Sequence, residues 1–153
     1  MRECVIKYAA TNWDLDFSYV LDLACGEGTI TEILISMGYA TNIEGVDICE
    51  ECLIKYTAKF ERPALKYSFA DIVEGRFPQK KYSLIVCSYG LHFCDSKQLP
   101  DLLKSLSRLS TTLLVIGYCT TPAIPETDWR LTKTFFMNDG SKGRLYKRKL
   151  WMI

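Results

Sequence analysis

The chain lacks long hydrophobic runs. Nearly half of its 153 residues are hydrophobic, yet no window stays apolar over the roughly 18 residues a membrane span requires. The opening Met1-Arg2-Glu3-Cys4-Val5-Ile6-Lys7 lacks the apolar stretch of a secretory signal. The expectation is a chain with no membrane partner and a cytoplasmic location, a nuclear one also being compatible. Histidine is nearly absent: His92 is the only one. Cysteine is not scarce, but the seven (4, 25, 49, 52, 87, 94 and 119) are odd in number and fall mostly in predicted strands and helices, so they read as reduced thiols. Cys49-Glu50-Glu51-Cys52 has the spacing of a redox or metal site, but no second pair accompanies it, and no metal site is expected. Repeats, linkers and low-complexity tracts are also missing, and the length suits one domain over residues 1 to 153 with a single core.

The net charge of +1 conceals an asymmetry. Residues 129 to 153 carry seven basic side chains against the single acid Asp139, so a basic edge sits on an acidic body.

Val20-Leu21-Asp22-Leu23 reads as a short apolar strand with one carboxylate, and it runs into Ala24-Cys25-Gly26-Glu27-Gly28 and then a helical pattern. Gly26 and Gly28 let backbone approach a ligand closely. A dinucleotide fingerprint requires a third glycine, whereas here the loop leads to Thr31. Pyrophosphate would also meet Asp22 and Glu27 with no basic residue to offset them. A cofactor with a cationic end and no phosphate fits better; an ordinary strand-to-helix turn is the plainer alternative.

From residue 18 onward short apolar strands alternate with amphipathic helices, the pattern of a parallel sheet covered on both faces. Strands are predicted at 19–23, 43–47, 65–72, 82–87 and 113–118. Helices are predicted at about 28–37, 49–60 and from a Ser96 cap to about 108, with Leu99, Leu102, Leu103 and Leu106 inward. The ten residues after strand five hold Pro122 and Pro125 and no helical periodicity. A hairpin follows, from Trp129 to Met137 and from Arg144 to Met152. The fold class is therefore α/β: a doubly wound, mainly parallel sheet with a C-terminal antiparallel hairpin and no helix after strand five. The unfilled position predicts an uncovered sheet face that needs a loop or a protein partner.

The stretch from Val20 to Gly28 resembles the first motif of the class I, Rossmann-like, S-adenosylmethionine-dependent methyltransferases, of the form (V/I)LD(L/I)(G/A)CGxG. The resemblance implies S-adenosyl-L-methionine as cofactor. Asp22, Ala24, Cys25, Gly26 and Gly28 would face its methionine end, with Asp22 acting directly or by fixing the loop. Asp47, at the end of strand two, would accept the ribose hydroxyls. Asp71, at the end of strand three, would accept from the adenine amino group, and Ile48 and Ile72 would sandwich the ring. Cys87 and Ser88 would lie beside the sulfonium, with Tyr8 or Trp13 covering the site. His92, in Ser88-Tyr89-Gly90-Leu91-His92-Phe93, is the candidate base, a structural role being the alternative.

Strand four is followed by Ser88-Tyr89-Gly90-Leu91 rather than the (D/N/S)PP(Y/F/W) of enzymes that methylate exocyclic amino groups of bases or glutamine amides, so that chemistry is disfavoured. The resemblance implies methyl transfer to an oxygen, nitrogen or sulfur of an acceptor that the residues do not name. Two alternatives stand: a non-catalytic methyltransferase-like module or subunit, and a dehydrogenase. RNA is the first macromolecular partner to consider, through Lys142 to Lys149 with Tyr146 and Trp151 as stacking surfaces. A solvated basic edge is the plainer reading.

Overall fold

The computed structural model describes residues 2–39, 42–118, 121–122, 124–126 and 128–149; Cys119, Trp151 and Met152 lie outside them. The strands are β1 (Val20–Leu23), β2 (Ile43–Asp47), β3 (Ala64–Lys66), β4 (Leu84–Ser88), β5 (Thr112–Tyr118), β6 (Trp129–Phe136) and β7 (Ser141–Arg148). They form one sheet in the order β3-β2-β1-β4-β5-β7-β6, with β7 antiparallel to its neighbours β5 and β6 and every other neighbouring pair parallel. The doubly wound architecture with its hairpin is as expected. The order reverses at β1, and the carboxyl ends of β1 and β4 there open toward a ligand.

Each face of the sheet has its own cover. The helices α1 (Arg2–Asn12) and α2 (Thr29–Ser36) bring Val5, Ile6, Ala9, Ile30 and Leu34 onto Val20, Leu84, Val86 and Ile116. On the opposite face α5 (Leu99–Leu109) brings Leu102, Leu103 and Leu106 onto Leu21, Ile85, Leu113 and Val115. Successive strand residues point to opposite faces, which is why Val20 and Leu21 join different clusters. Helix α3 (Glu50–Phe60) closes the β2 end with Leu53 and Tyr56 against Cys25. Among the described residues no helix is long and apolar enough to cross a membrane.

Two expectations are corrected. The predicted third strand stops at Lys66, and Phe69–Val73 forms a short helix, α4. Ser68 accepts from the Asp71 amide at 3.0 Å while Asp71 accepts from the Ser68 amide at 2.9 Å, a reciprocal cap that turns the chain out of the sheet. Ser96 does not start α5; Gln98 holds the cap position, Pro100 lies in the first turn, and Leu91–Phe93 forms a single 3₁₀ turn beforehand.

Of the two covers expected for the sheet face beside β5, a loop or a partner, the structure shows the chain's own segment. Trp129, 1 % exposed, fills it from the start of β6 and donates its indole N–H to Leu103 O at 3.0 Å, with Ile124 packed beside it. Basic residues of β7 and of the position after it tie the hairpin to the covering segment and to α5: Arg144 donates to Pro122 O at 3.5 Å, Lys149 to Glu126 O at 3.0 Å and Arg148 to Ser107 O at 2.8 Å. Lys147 donates to Thr112 Oγ1 at 3.1 Å. The described residues of the chain cover this face themselves, and four of the cations expected to meet RNA donate hydrogen bonds within the chain.

Candidate functional site

The site begins where β1 ends. Ala24, Gly26 and Gly28 all have positive φ (55°, 55° and 94°), so the chain reverses within five residues and enters α2. Gly28 has a second constraint: a Cβ there would stand 2.3 Å from Phe60 Cε2 and 2.7 Å from Tyr56 Cδ2. The aromatic face of α3 packs where the side chain would be. Gly90 plays the matching part after β4, where a Cβ would come within 2.6 Å of the Ala24 Cβ. The two loops thus approach each other closely enough to form one wall.

Two carboxylates hold this loop from opposite sides. Asp22, 1 % exposed, accepts from Thr31 Oγ1 at 2.8 Å and from the Thr31 amide at 3.3 Å. It fixes the first turn of α2 from beneath and does not line the cleft. Thr31 occupies the place where a dinucleotide site has its third glycine, and the Thr31 hydroxyl also lies 3.0 Å from Tyr56 Oη. Asp47 lies above the loop, where Oδ2 accepts from the Gly26 amide at 2.8 Å and Oδ1 from the amides of Ile48 and Cys49 at 2.7 and 3.0 Å. One carboxylate therefore joins the β1–α2 loop to the β2–α3 turn.

These elements enclose a cleft of about 700 Å³. Of the expected residues, Ala24, Cys25, Gly26, Asp47, Ile48 and Ser88 line it. Ile48 is an apolar side chain 62 % exposed at its rim, with Phe93 opposite at 76 %. Ser88 carries the clearest sign of a missing partner: its Oγ is buried and has no hydrogen-bond partner among the described residues. An unsatisfied buried hydroxyl costs about 1–3 kcal/mol, and Ser88 is among the residues that line the cleft.

Several expected residues stand elsewhere. Asp71 sits in the first turn of α4, not at a strand end, and its carboxylate is taken by the Ser68 amide and by Arg76 at 3.0 Å. Those two partners, the amide first, hold its carboxyl below the ordinary value. Ile72, 3 % exposed, packs in the core cluster. Tyr67, Phe69 and Ala70 line the cleft instead. Cys87 is buried, and desolvation, reinforced by Asp22, pushes its thiol up to about 12. Burial, with Asp22 and Asp47 nearby, also pushes the Cys25 thiol up. Both are neutral thiols at physiological pH.

His92 is exposed beside Phe93, ring centroids 4.1 Å apart, and lies outside the cleft. Tyr8 stacks on Phe135 at 3.8 Å, and Trp13 is buried under α1, so neither covers the site. Cys49 and Cys52 do line it. Cys49 Sγ caps α3 by accepting from the Cys52 amide at 3.3 Å, and its thiol raises that of Cys52 to about 11. Among the described residues no group of three or more potential metal ligands converges.

A glycine loop after β1, a carboxylate at the end of β2 and a cleft at the point where the strand order reverses have counterparts in known proteins. A family model described as a methyltransferase domain matches residues 20–112. The chain belongs to this methyltransferase domain family. The matched segment runs from the start of β1 to the start of β5 and so contains every element that lines the cleft. Among curated proteins, an uncharacterized protein of Schizosaccharomyces pombe is 27 % identical over 168 residues, covering 84 % of this chain and 68 % of its own. The PH0226 protein of Pyrococcus horikoshii shares the fold with a TM-score of 0.75 at 14 % identity, over 97 % of this chain and 90 % of that one. Magnesium protoporphyrin IX methyltransferase of Synechocystis, solved with bound SAH, has a TM-score of 0.71 at 14 % identity, over 96 % and 81 %.

Proposed function

We propose that the chain binds S-adenosylmethionine in the cleft and transfers its methyl group to an oxygen, nitrogen or sulfur of an acceptor. The single observation that carries this reading is the arrangement around Gly26: a positive-φ loop tied to the strand-end carboxylate of Asp47, facing a Ser88 hydroxyl with no protein partner. The cofactor supplies a methyl group already activated on a sulfonium, and the protein's part is alignment and exclusion of water.

The residues divide that task. Asp47 takes the ribose hydroxyls, the Ala24–Gly28 loop the methionine end, and Ser88 a polar atom of the ligand. Ile48 and the Tyr67–Ala70 segment provide the surfaces for adenine. Asp22 serves through Thr31 and the loop rather than by contact. No protein base is assigned: His92 stands outside the cleft, and Cys25 and Cys87 are held protonated. Trp129 and its neighbours cover the sheet face beside β5, and Thr31 stands in place of the glycine a dehydrogenase requires.

Titration calorimetry with S-adenosylmethionine, S-adenosylhomocysteine and NAD tests the reading. Micromolar binding of the first two and none of NAD is expected. Binding of NAD alone, or of none of the three at millimolar ligand, refutes it.

A further inference from the structure

Three non-glycine residues among those described have positive φ: Ala24, Glu61 and Tyr89. Glu61 closes α3 as its cap residue. Ala24 and Tyr89 follow β1 and β4, and both line the cofactor cleft. Tyr89, at 53°, is the bulkiest of the three, and a large side chain in this region is an outlier. Such strain persists only where the surroundings over-determine it.

Tyr89 is held at both ends. Its amide donates to Ile116 O of β5 at 2.7 Å. Its hydroxyl lies 2.7 Å from Ser141 Oγ at the start of β7, 52 residues along the chain. Ser141, 1 % exposed, donates its own hydroxyl proton to Asp139 Oδ2 at 2.9 Å and its amide proton to Asp139 Oδ1 at 3.0 Å. The amide first, and then the hydroxyl, keep the Asp139 carboxyl below its ordinary value. A carboxylate only accepts, so the Tyr89 hydroxyl is the donor to Ser141. Packing alone does not fix the ring. It borders the cleft and also a second cavity of about 600 Å³, where Tyr118 meets it edge-on with centroids 4.9 Å apart.

The torsion at Tyr89 sets the chain before it against the chain after it. Before it stands Ser88, whose buried hydroxyl has no hydrogen-bond partner among the described residues. After it stands Gly90, where a Cβ would come within 2.6 Å of the Ala24 Cβ. A return of Tyr89 to negative φ would turn these two features of the wall away from each other.

We propose that Tyr89 is a positioning residue for the cofactor. The bond from its hydroxyl to Ser141 holds the positive φ, and that torsion sets the Ser88 hydroxyl and the Gly90 backbone where the bound cofactor meets them. The inference rests on the cofactor reading above and adds to it the β6–β7 turn. Asp139 and Ser141 do not line the cleft and act on it through Tyr89.

The test is calorimetric titration with S-adenosylhomocysteine of the parent, Tyr89→Phe, Ser141→Ala, the double variant and Tyr89→Gly, with circular dichroism to confirm folding. Tyr89→Phe and Ser141→Ala are each expected to weaken binding at least fivefold. The double variant is expected to stay within twofold of the weaker single one, because the two hydroxyls make one bond. Tyr89→Gly removes the whole ring yet adopts positive φ freely, so it is expected to bind more tightly than Tyr89→Phe. A role in packing alone gives the reverse order. Parental affinity in folded Tyr89→Phe, or weaker binding by folded Tyr89→Gly than by Tyr89→Phe, overturns the proposal and leaves the cofactor reading standing. If the parent does not bind S-adenosylhomocysteine, the cofactor reading fails, and this role of Tyr89 with it.

Discussion

Replacing Asp47 with alanine removes a side chain that accepts from three backbone amides, those of Gly26, Ile48 and Cys49, at 2.8, 2.7 and 3.0 Å. The three losses are unequal. Ile48 is exposed, and water replaces its partner at little cost. The Gly26 amide is half-buried and belongs to the other loop, so its loss unties the β1–α2 loop from β2. Leaving such a donor unpaired costs about 1–3 kcal/mol. The carboxylate assigned to the ribose is lost with it, and a single charge-assisted bond adds a comparable amount. The two together amount to about 2–6 kcal/mol, so the expected drop in affinity for S-adenosylhomocysteine is about 30-fold or more, at about 1.4 kcal/mol per factor of ten. Glu27→Ala is the control: it lines the same cleft, but its ion pair with Lys55, at 3.2 Å, is largely solvated, and such pairs contribute little. Titration calorimetry on both variants, with circular dichroism to confirm folding, reads the outcome. A folded Asp47→Ala protein with parental affinity refutes the role given to this carboxylate.

Trp129→Ala empties the space over the sheet and frees the Leu103 carbonyl; a loss of about 3–5 kcal/mol is expected in urea unfolding. A loss below about 1 kcal/mol would show that this face is covered in another way. His92→Ala is expected to leave stability within about 0.5 kcal/mol and the affinity for S-adenosylhomocysteine within about twofold; a tenfold drop would return the histidine to the site. The Cys87 thiol rises from 9.0 to about 12 on folding. The folded state then holds a proton that the unfolded chain releases above pH 9. This stability is complete below that value and declines toward pH 12, by on the order of 1.4 kcal/mol per pH unit within the window. Cys25 and Tyr56 act in the same direction. Thermal unfolding should show a falling midpoint from pH 9 to pH 11, and a flat profile contradicts the burial of these groups.

The part of the site nearest β1 was readable because local chemistry and global fold agree there. An apolar strand, small residues at positive φ and an amphipathic helix succeed one another within seventeen residues, and Asp47 follows at the end of the next strand. Asp71 and Ile72 were assigned to a strand because the alternation of Leu65, Tyr67 and Phe69 resembles one, whereas the reciprocal cap between Ser68 and Asp71 starts a helix. The same misreading hid Tyr67 and Phe69 as wall residues. Helix α1 was missed because its buried residues, Val5, Ile6 and Ala9, are few and its remaining surface is polar. His92 drew attention as the lone histidine, but the 3₁₀ turn puts Phe93 on the cleft instead. Ser88 stands at the strand end the sequence indicated and lines the cleft, while its lack of a partner is a property of packing that no spacing reveals. The basic hairpin was visible as charge; that its cations hold the chain's own carbonyls depends on pairing across about forty residues.

The measurement that tests the account most directly is a map of backbone amide chemical shifts by NMR as S-adenosylhomocysteine is added. The account predicts changes concentrated at Ala24 to Thr29, at Asp47 to Cys49, at Ser68 to Ala70 and at Ser88 to Gly90, the segments that line one cleft. Changes confined to the β6–β7 hairpin, or none at saturating ligand, would contradict it.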